Sequence, residues 1–343
     1  ETIGPRLGAV VTVTRERALA QAHRANQELL AGRDRGPLHG LPYGAKDHLA
    51  TKGLPTTWGA EPLRDQVFDH DATVVERLEE AGAVLVAKLA MVELAGGLGY
   101  NNPDASFTGP GRTPWNPAHW SGGSSSGSAA AVAAGSVPVA IGTQTLGSVI
   151  RPAAYCGIVG FKPTHGRIGT DGVLPFSRTV DDVGLFTQDV AGMSLAAAVV
   201  CADWQPPSDP GQPVLGIPVG PYLNRAPFNT RRAFEAQTDF LRDLDWPIVF
   251  VNLLEDIEQI NHRHRRLIAA EFAAVHEQLF ANHADLYGPR TRDLIYEGQT
   301  VSADELQAAG EGCLQLRERL LATMQAEGVD AWISPSAMGP ADE

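Results

Sequence analysis

Cysteine is scarce in this 343-residue chain: Cys156, Cys201 and Cys313 lie far apart and are odd in number. They offer neither a metal pair nor a disulfide framework, and the scarcity fits a reducing compartment such as the cytoplasm. No apolar run reaches the roughly 18 residues that a membrane-spanning helix needs. Basic residues are in deficit, with 27 Lys and Arg against 40 Asp and Glu and a formal charge of −13. An acidic surface repels phosphate backbones, which argues against nucleic-acid binding as the main activity. No internal repeat period is present, so solenoids and propellers are excluded. What remains, 43% hydrophobic and 20% charged, has the balance of a globular protein, and the length fits two domains or one large sheet-based domain. The start at Glu1 carries no signal-peptide pattern. The end, ISPSAMGPADE, follows directly on a buried-strand pattern and reads as a cut. A single domain over residues 1–343, lacking its C-terminal part, is expected.

The stretch Ser121–Thr164 organises the rest. A Gly/Ser loop (Gly122–Ser128) leads into an Ala-rich run (Ala129–Ala134) that reads as a tightly packed helix beginning near Ser126 or Gly127. A β-branched strand (Val137–Gly142) and a second polar turn (Thr143–Ser148) follow. Two serine-bearing loops therefore sit at the two ends of one helix–strand unit, where their hydroxyls can meet. A flexible linker would account for an isolated GGSSSGS, but these flanks are compact and apolar. A phosphate-binding loop needs Lys where Ser128 stands. An esterase elbow centred on Ser125 needs a strand before it, and Pro114 and Pro117 in TPWNPAHW remove ladder donors. The third reading is a serine nucleophile activated without histidine. Its base would be a lysine whose ammonium burial disfavours. Lys46, beside Tyr43, Gly44 and Ala45, is the best-placed candidate, although the local sequence alone favours a surface lysine paired with Asp47.

Elsewhere, Thr14–Leu30 predicts an amphipathic helix with Ala18, Ala22, Ala25 and Leu29 on its apolar face. Asp71 is placed to cap a helix over 72–81, and Ala83–Ala90 reads as a buried strand. Leu41–Ala45 is short and punctuated, and Gly96–Trp120 is loop by its Gly, Pro and Asn content. Val183–Thr187 predicts a strand, with Asp189 capping a helix that runs through Ala202. Gln205–Pro213 reads as an exposed connection. Short strands at Val214–Pro218 and Ile248–Asn252 flank a helix at Thr230–Leu244. Long helices follow at Arg265–Asn282 and Ala303–Gln325, the second opened by a capping box from Ser302 to Glu305. Asp330–Ser334 is the last strand. The alternation implies an α/β fold, a three-layer α/β/α domain with a mixed central sheet. Cys156 reads as buried filler and Glu93 as structural.

GGSSSGSAAAVAAG, the later Gly147-Ser148 turn, Arg-Pro-Ala-Ala-Tyr-Cys-Gly and Gly-Phe-Lys-Pro-Thr together resemble the amidase signature family. The upstream GLPYGAKDHLATKGLPTTWG resembles its lysine segment. The resemblance, strong over residues 35–187, implies a serine amidohydrolase with Ser148 as nucleophile, Ser124 as bridging serine on a cis peptide bond, and Lys46 as terminal base. Backbone N–H groups of Thr145, Leu146, Gly147 and Ser148 would form the oxyanion hole. It implies no metal or organic cofactor and a small-molecule amide, carbamate or ester substrate. Neither nucleic acid nor membrane is expected as a partner, and a homodimer is left open. The amidotransferase branch of the family, which releases ammonia for a charged tRNA, and a scaffold that lost activity are the alternatives. Tyr100, Asn101, Asn102 and Trp120 are candidates to line the acyl pocket. The chain departs from the family's Thr-Asp-x-Gly-Gly-Ser-x-Arg run: Gln144 replaces the Asp, Leu146 the first Gly, and Arg151 is displaced by one place. No Asp–Arg pair can form at those positions, and Gln144 is expected to take over loop hydrogen bonds.

Overall fold

The computed structural model describes residues 3–96, 106–205 and 211–341. They form two compact units, one of Glu1–Gln205, Phe272–Tyr296 and Ala341–Glu343, the other of Pro206–Glu271 and Glu297–Pro340. In the first, the strands are β1 (Val10–Val13), β2 (Pro42–Lys46), β3 (Val84–Leu89), β4 (Val139–Gln144), β5 (Val159–Phe161) and β6 (Asp182–Thr187). Its helices are α1 (Arg15–Leu30), α2 (Thr73–Glu80), α3 (Ser126–Ala133), α4 (Ile150–Cys156) and α5 (Val190–Val200). The strand order is β1-β3-β2-β4-β6-β5. β2 runs parallel to both β3 and β4, and the outer pairings are antiparallel, so the sheet is mixed.

Side chains alternate between the two faces of a strand. Tyr43, Ala45, Leu85, Ile141 and Leu185 therefore share one face, covered by Val74 and Leu78 of α2 and Met193 and Ala197 of α5. Ala87, Leu89, Ala140 and Phe186 pack on the other, against Ala129 and Val132 of α3 and Ala153 and Cys156 of α4. The expected α/β/α layering is thus present. α3 is buried from Ser126 to Val132, which only small side chains allow. Gly127 is the tightest point: a Cβ there would stand 2.3 Å from the Ala9 carbonyl oxygen and 2.4 Å from the Ala90 nitrogen. Later chain returns to this unit. Phe272 stacks on Phe176 with ring centroids 4.5 Å apart. The Glu93 carboxylate accepts from the Gly288 N–H at 3.1 Å and the Thr291 hydroxyl at 2.6 Å.

The second unit holds a parallel three-stranded sheet, with β7 (Leu215–Val219) between β8 (Ile248–Asn252) and β9 (Ala331–Trp332). Its helices are α6 (Pro221–Asn224), α7 (Phe228–Asp243) and α10 (Ala303–Glu327). α8 (Ile257–His283) and α9 (Pro289–Gln299) each have residues assigned to both units. The capping box opens α10, with Ser302 Oγ accepting from the Glu305 N–H and Glu305 Oε2 from the Ser302 N–H.

Several local expectations needed correction. Asp71 does not cap α2; it accepts from the Arg17 guanidinium and the Lys52 N–H, so a distant cation outcompetes the helix N-terminus. α1 faces the core with Gln21 and Ala25, whereas Leu29 is exposed, because Gln21 and Arg17 reach Glu79 across α2. Pro42–Lys46 is a full strand. α8 starts at Ile257, earlier than expected, since buried Ile257 and Ile260 continue its apolar stripe under a charged stretch. α9 lies where no helix was expected, and the last strand shrinks to two residues. Gly127→Ala should lower the unfolding free energy by about 1–3 kcal/mol, because backbone on both sides cannot yield to the methyl. An unchanged midpoint in denaturant titration would contradict the packing described.

Candidate active site

β2 delivers Lys46. Between two parallel neighbours the strand is buried on both faces, and Lys46 is fully buried at its C-terminal end. Its Nζ hydrogen-bonds Ser124 Oγ at 2.8 Å and Thr143 Oγ1 at 2.7 Å. Burial disfavours the ammonium and pulls the pKa well below the ordinary lysine value; only the more distant Asp181 carboxylate works the other way. The surface pairing with Asp47 therefore does not occur.

Asp47 belongs to a second buried layer. Its Oδ2 accepts from the Thr57 N–H at 3.0 Å, and its Oδ1 lies 3.3 Å from Lys88 Nζ. Lys88 also donates to the Leu49 carbonyl at 2.8 Å and to Thr56 Oγ1 at 2.7 Å. Burial lowers the Lys88 pKa to about 8 against the pull of Asp47, and burial raises that of Asp47 against the pull of Lys88. This pair ties the segment after β2 to β3.

Ser124 follows a cis Gly123–Ser124 peptide bond just ahead of α3. The bend is held from outside by Arg151, whose guanidinium donates to the Gly123 carbonyl at 2.8 Å and lies 5.6 Å from the Trp120 ring. Trp120 is buried, and its ring lies where a Cβ on Gly123 would be. Ser125 fastens the two serine loops together. Its N–H donates to the Ser148 carbonyl at 3.3 Å, and its hydroxyl donates to the Thr143 carbonyl at 3.1 Å. In line with the expectation, Gln144 Oε1 accepts from the Val149 and Ile150 N–H groups at 2.8 and 3.0 Å, where α4 begins. Thr145 Oγ1 donates to Asp181 Oδ1 at 2.6 Å, and Asp181 Oδ2 accepts from the Phe176 and Ser177 N–H groups. The turn 145–148 is thereby pinned at both ends. Among the described residues, none accepts a hydrogen bond from the N–H of Leu146, Gly147 or Ser148. Asp181 also walls a cleft of about 330 Å³, together with Thr170, Asp171, Val173, Pro175 and Arg178. No cluster of His, Cys, Asp or Glu among the described residues is arranged to hold a metal ion.

The family model described as Amidase matches residues 1–343. The chain belongs to the amidase family. It is 34% identical to a crystal structure of an amidase, with a TM-score of 0.91 over 99% of this chain and 76% of that one. The native peptide amidase from Stenotrophomonas maltophilia is 27% identical, with a TM-score of 0.81 over 99% and 80% of the two chains. Among curated proteins it resembles one of the subunits of glutamyl-tRNA(Gln) amidotransferase. The match is 42% identical over 200 residues in Carboxydothermus hydrogenoformans and 45% over 190 in Exiguobacterium sibiricum. Those stretches are 58% and 55% of this chain but 41% and 38% of the relatives, so it spans about two fifths of the curated relatives it matches.

Of the residues singled out in the sequence of this amidase-family chain, Lys46 and Ser124 are hydrogen-bonded, and the Ser148 backbone carbonyl accepts from the N–H of Ser125, the residue next to Ser124. Tyr100, Asn101 and Asn102 lie outside the described residues. Trp120 packs the Ser124 loop. Cys156 is buried, and burial pushes its thiol up to about 12. Sequence reasoning missed Thr143, Asp181, His48 and the Lys88–Asp47 pair. Their one signal was polar side chains at the ends of apolar strands. Asp47→Ala would leave the Lys88 ammonium buried without its carboxylate and should cost about 3–5 kcal/mol. Urea unfolding checks this, and a loss under about 1 kcal/mol would reduce the pair to the status of a surface contact.

Proposed function

We propose that this protein is a serine amidohydrolase that cleaves carboxylic amides, aryl amides or related carbamates and esters through an acyl-enzyme on Ser148. The observation that carries the reading is the fully buried Lys46 amine at 2.8 Å from Ser124 Oγ, with hydroxyls and no carboxylate as its contacts among the described residues. A serine hydroxyl becomes a useful nucleophile only when a base takes its proton. A neutral amine in a dry site is such a base.

In this reading Ser124 passes its proton to Lys46 while taking the proton of Ser148, and Ser148 Oγ attacks the carbonyl carbon. The developing oxyanion is met by N–H groups of the turn Thr145–Ser148, preorganised donors that need no rearrangement during the reaction. Lys46 returns its proton through Ser124 to the departing nitrogen, the C–N bond breaks, and amine leaves. Water then attacks the ester through the same relay and frees the acid. No step calls for a group beyond these side chains, and the cleft beside Asp181 would take part of the substrate.

The amidotransferase relatives support a second reading, in which the chain works within a larger complex and releases ammonia for a charged tRNA. The −13 formal charge weighs against close contact with RNA. Co-purification with a second catalytic chain, together with glutaminase activity dependent on it, would favour that reading.

A hydrolysis screen of aliphatic amides, anilides and carbamates, alongside fluorophosphonate labelling, tests the proposal. Ser148→Ala should abolish labelling and lower turnover more than about 10³-fold while leaving the melting temperature intact. Residual turnover near the wild-type rate would reject Ser148 as nucleophile. The pH profile carries its own sign. The base is the uncharged amine, present above the lowered Lys46 pKa, so kcat/KM should fall as pH drops through that value. Lys46→Ala should remove both the rate and that limb; a profile flat into the acidic range would rule out a lysine base.

A further inference from the structure

The Lys46 amine has a second hydroxyl partner, and behind it stands a histidine. His48 is buried, and its Nδ1 lies 3.0 Å from Thr143 Oγ1, the same oxygen that Lys46 Nζ contacts at 2.7 Å. A chain of four groups results: His48, Thr143, Lys46, Ser124. Each has limited donors and acceptors, so protons can be counted along it. A neutral amine has two N–H bonds and one lone pair. To receive the Ser124 proton the lone pair must face Ser124, so an N–H must face Thr143. Thr143 Oγ1 then accepts from Lys46 and must place its own single proton elsewhere. His48 Nδ1 is the acceptor within reach.

The ring fits that duty. Burial keeps the imidazole uncharged, with a single ring proton, while the Leu174 backbone works the other way. With Nδ1 turned to Thr143, that proton belongs on Nε2, which has no hydrogen-bond partner within normal limits. Were the tautomer reversed, Nδ1–H would point at Thr143, whose hydroxyl would turn its proton onto the Lys46 lone pair and compete with Ser124.

We propose that His48 is a positioning residue: through Thr143 it aims the single lone pair of Lys46 at Ser124. The inference rests on the Ser148–Ser124–Lys46 reading above and adds to it the group that sets the direction of the relay.

The test compares His48→Leu, His48→Asn, Thr143→Val and the His48→Leu/Thr143→Val double variant. His48→Leu removes the acceptor and should lower kcat about 10²-fold on the alkaline plateau with KM little changed, the size of loss that misplacing a catalytic group produces. His48→Asn offers an Oδ1 in place of Nδ1 and should retain kcat within about threefold, a smaller change than loss of a catalytic group produces. In the Thr143→Val background, His48→Leu should have no further effect. Wild-type kcat in His48→Leu, or losses that multiply in the double variant, would overturn the proposal. Should His48→Leu fail to fold, nitrogen NMR of the wild-type protein, with the His48 resonances assigned through His48→Asn, reads the tautomer directly. Nε2–H is expected, and Nδ1–H would overturn the inference. Persistent turnover in Ser148→Ala would instead sink the nucleophile assignment, whatever the His48 tautomer.

Discussion

Two lysines sit on adjacent strands in the same dry interior, and the difference between them governs this structure. Lys88 pairs in register with Ala45 and Lys46 with Leu89, so the two side chains leave the sheet on opposite faces. Lys88 has a carboxylate at 3.3 Å and can keep its charge, its pKa lowered only to about 8. Lys46 touches hydroxyls instead, with Asp181 acting from farther away. Hydroxyls solvate an amine but repay little of the desolvation that an ammonium suffers. One face therefore carries an ion pair that holds the segment after β2 in place, and the other carries the amine proposed as the base. Exchanging their surroundings would exchange their properties.

Keeping that amine dry depends on how closely α3 approaches the sheet. A helix of Ala, Ser and Gly offers almost no side-chain thickness, so its backbone comes within contact of the Ala9 and Ala90 backbone at Gly127. Ser125 then joins the start of α3 to the end of β4 through its hydroxyl, and to the Ser148 carbonyl beyond β4 through its N–H. The helix–strand unit is thus closed on itself at the point where Ser124 and the turn 145–148 emerge. Function on this fold comes from loops held by a rigid frame, a common division of labour.

Local pattern revealed the frame well. The Gly/Ser loop, the Ala run, the strand and the polar turn appear in order, and the motifs flanking them pointed to the family. Burial was harder to read. Lys46-Asp47 looks like a surface pair in isolation, because what buries it is the strand on either side, one of them contributed about a hundred residues later. The partners of Asp71, Asp47 and Gln21 were hidden for the same reason, each being chosen by a contact distant in sequence. Histidine at position 48 carried only the signal of a polar side chain at the end of an apolar strand. Its meaning arises only when β4 brings Thr143 alongside.

The first unit is discontinuous in sequence, and this has a consequence for how the chain is made. Phe176 waits for Phe272, and the carboxylate of Glu93 waits for Gly288 and Thr291. A nascent polypeptide halted at Gln205 would own every strand of the larger sheet and all three proposed reacting side chains, yet would expose an aromatic ring and a carboxyl without their partners. Such long-range closures slow folding and leave a window for aggregation on the ribosome. Completion of the first unit's packing is thereby deferred until residues encoded well downstream have been translated.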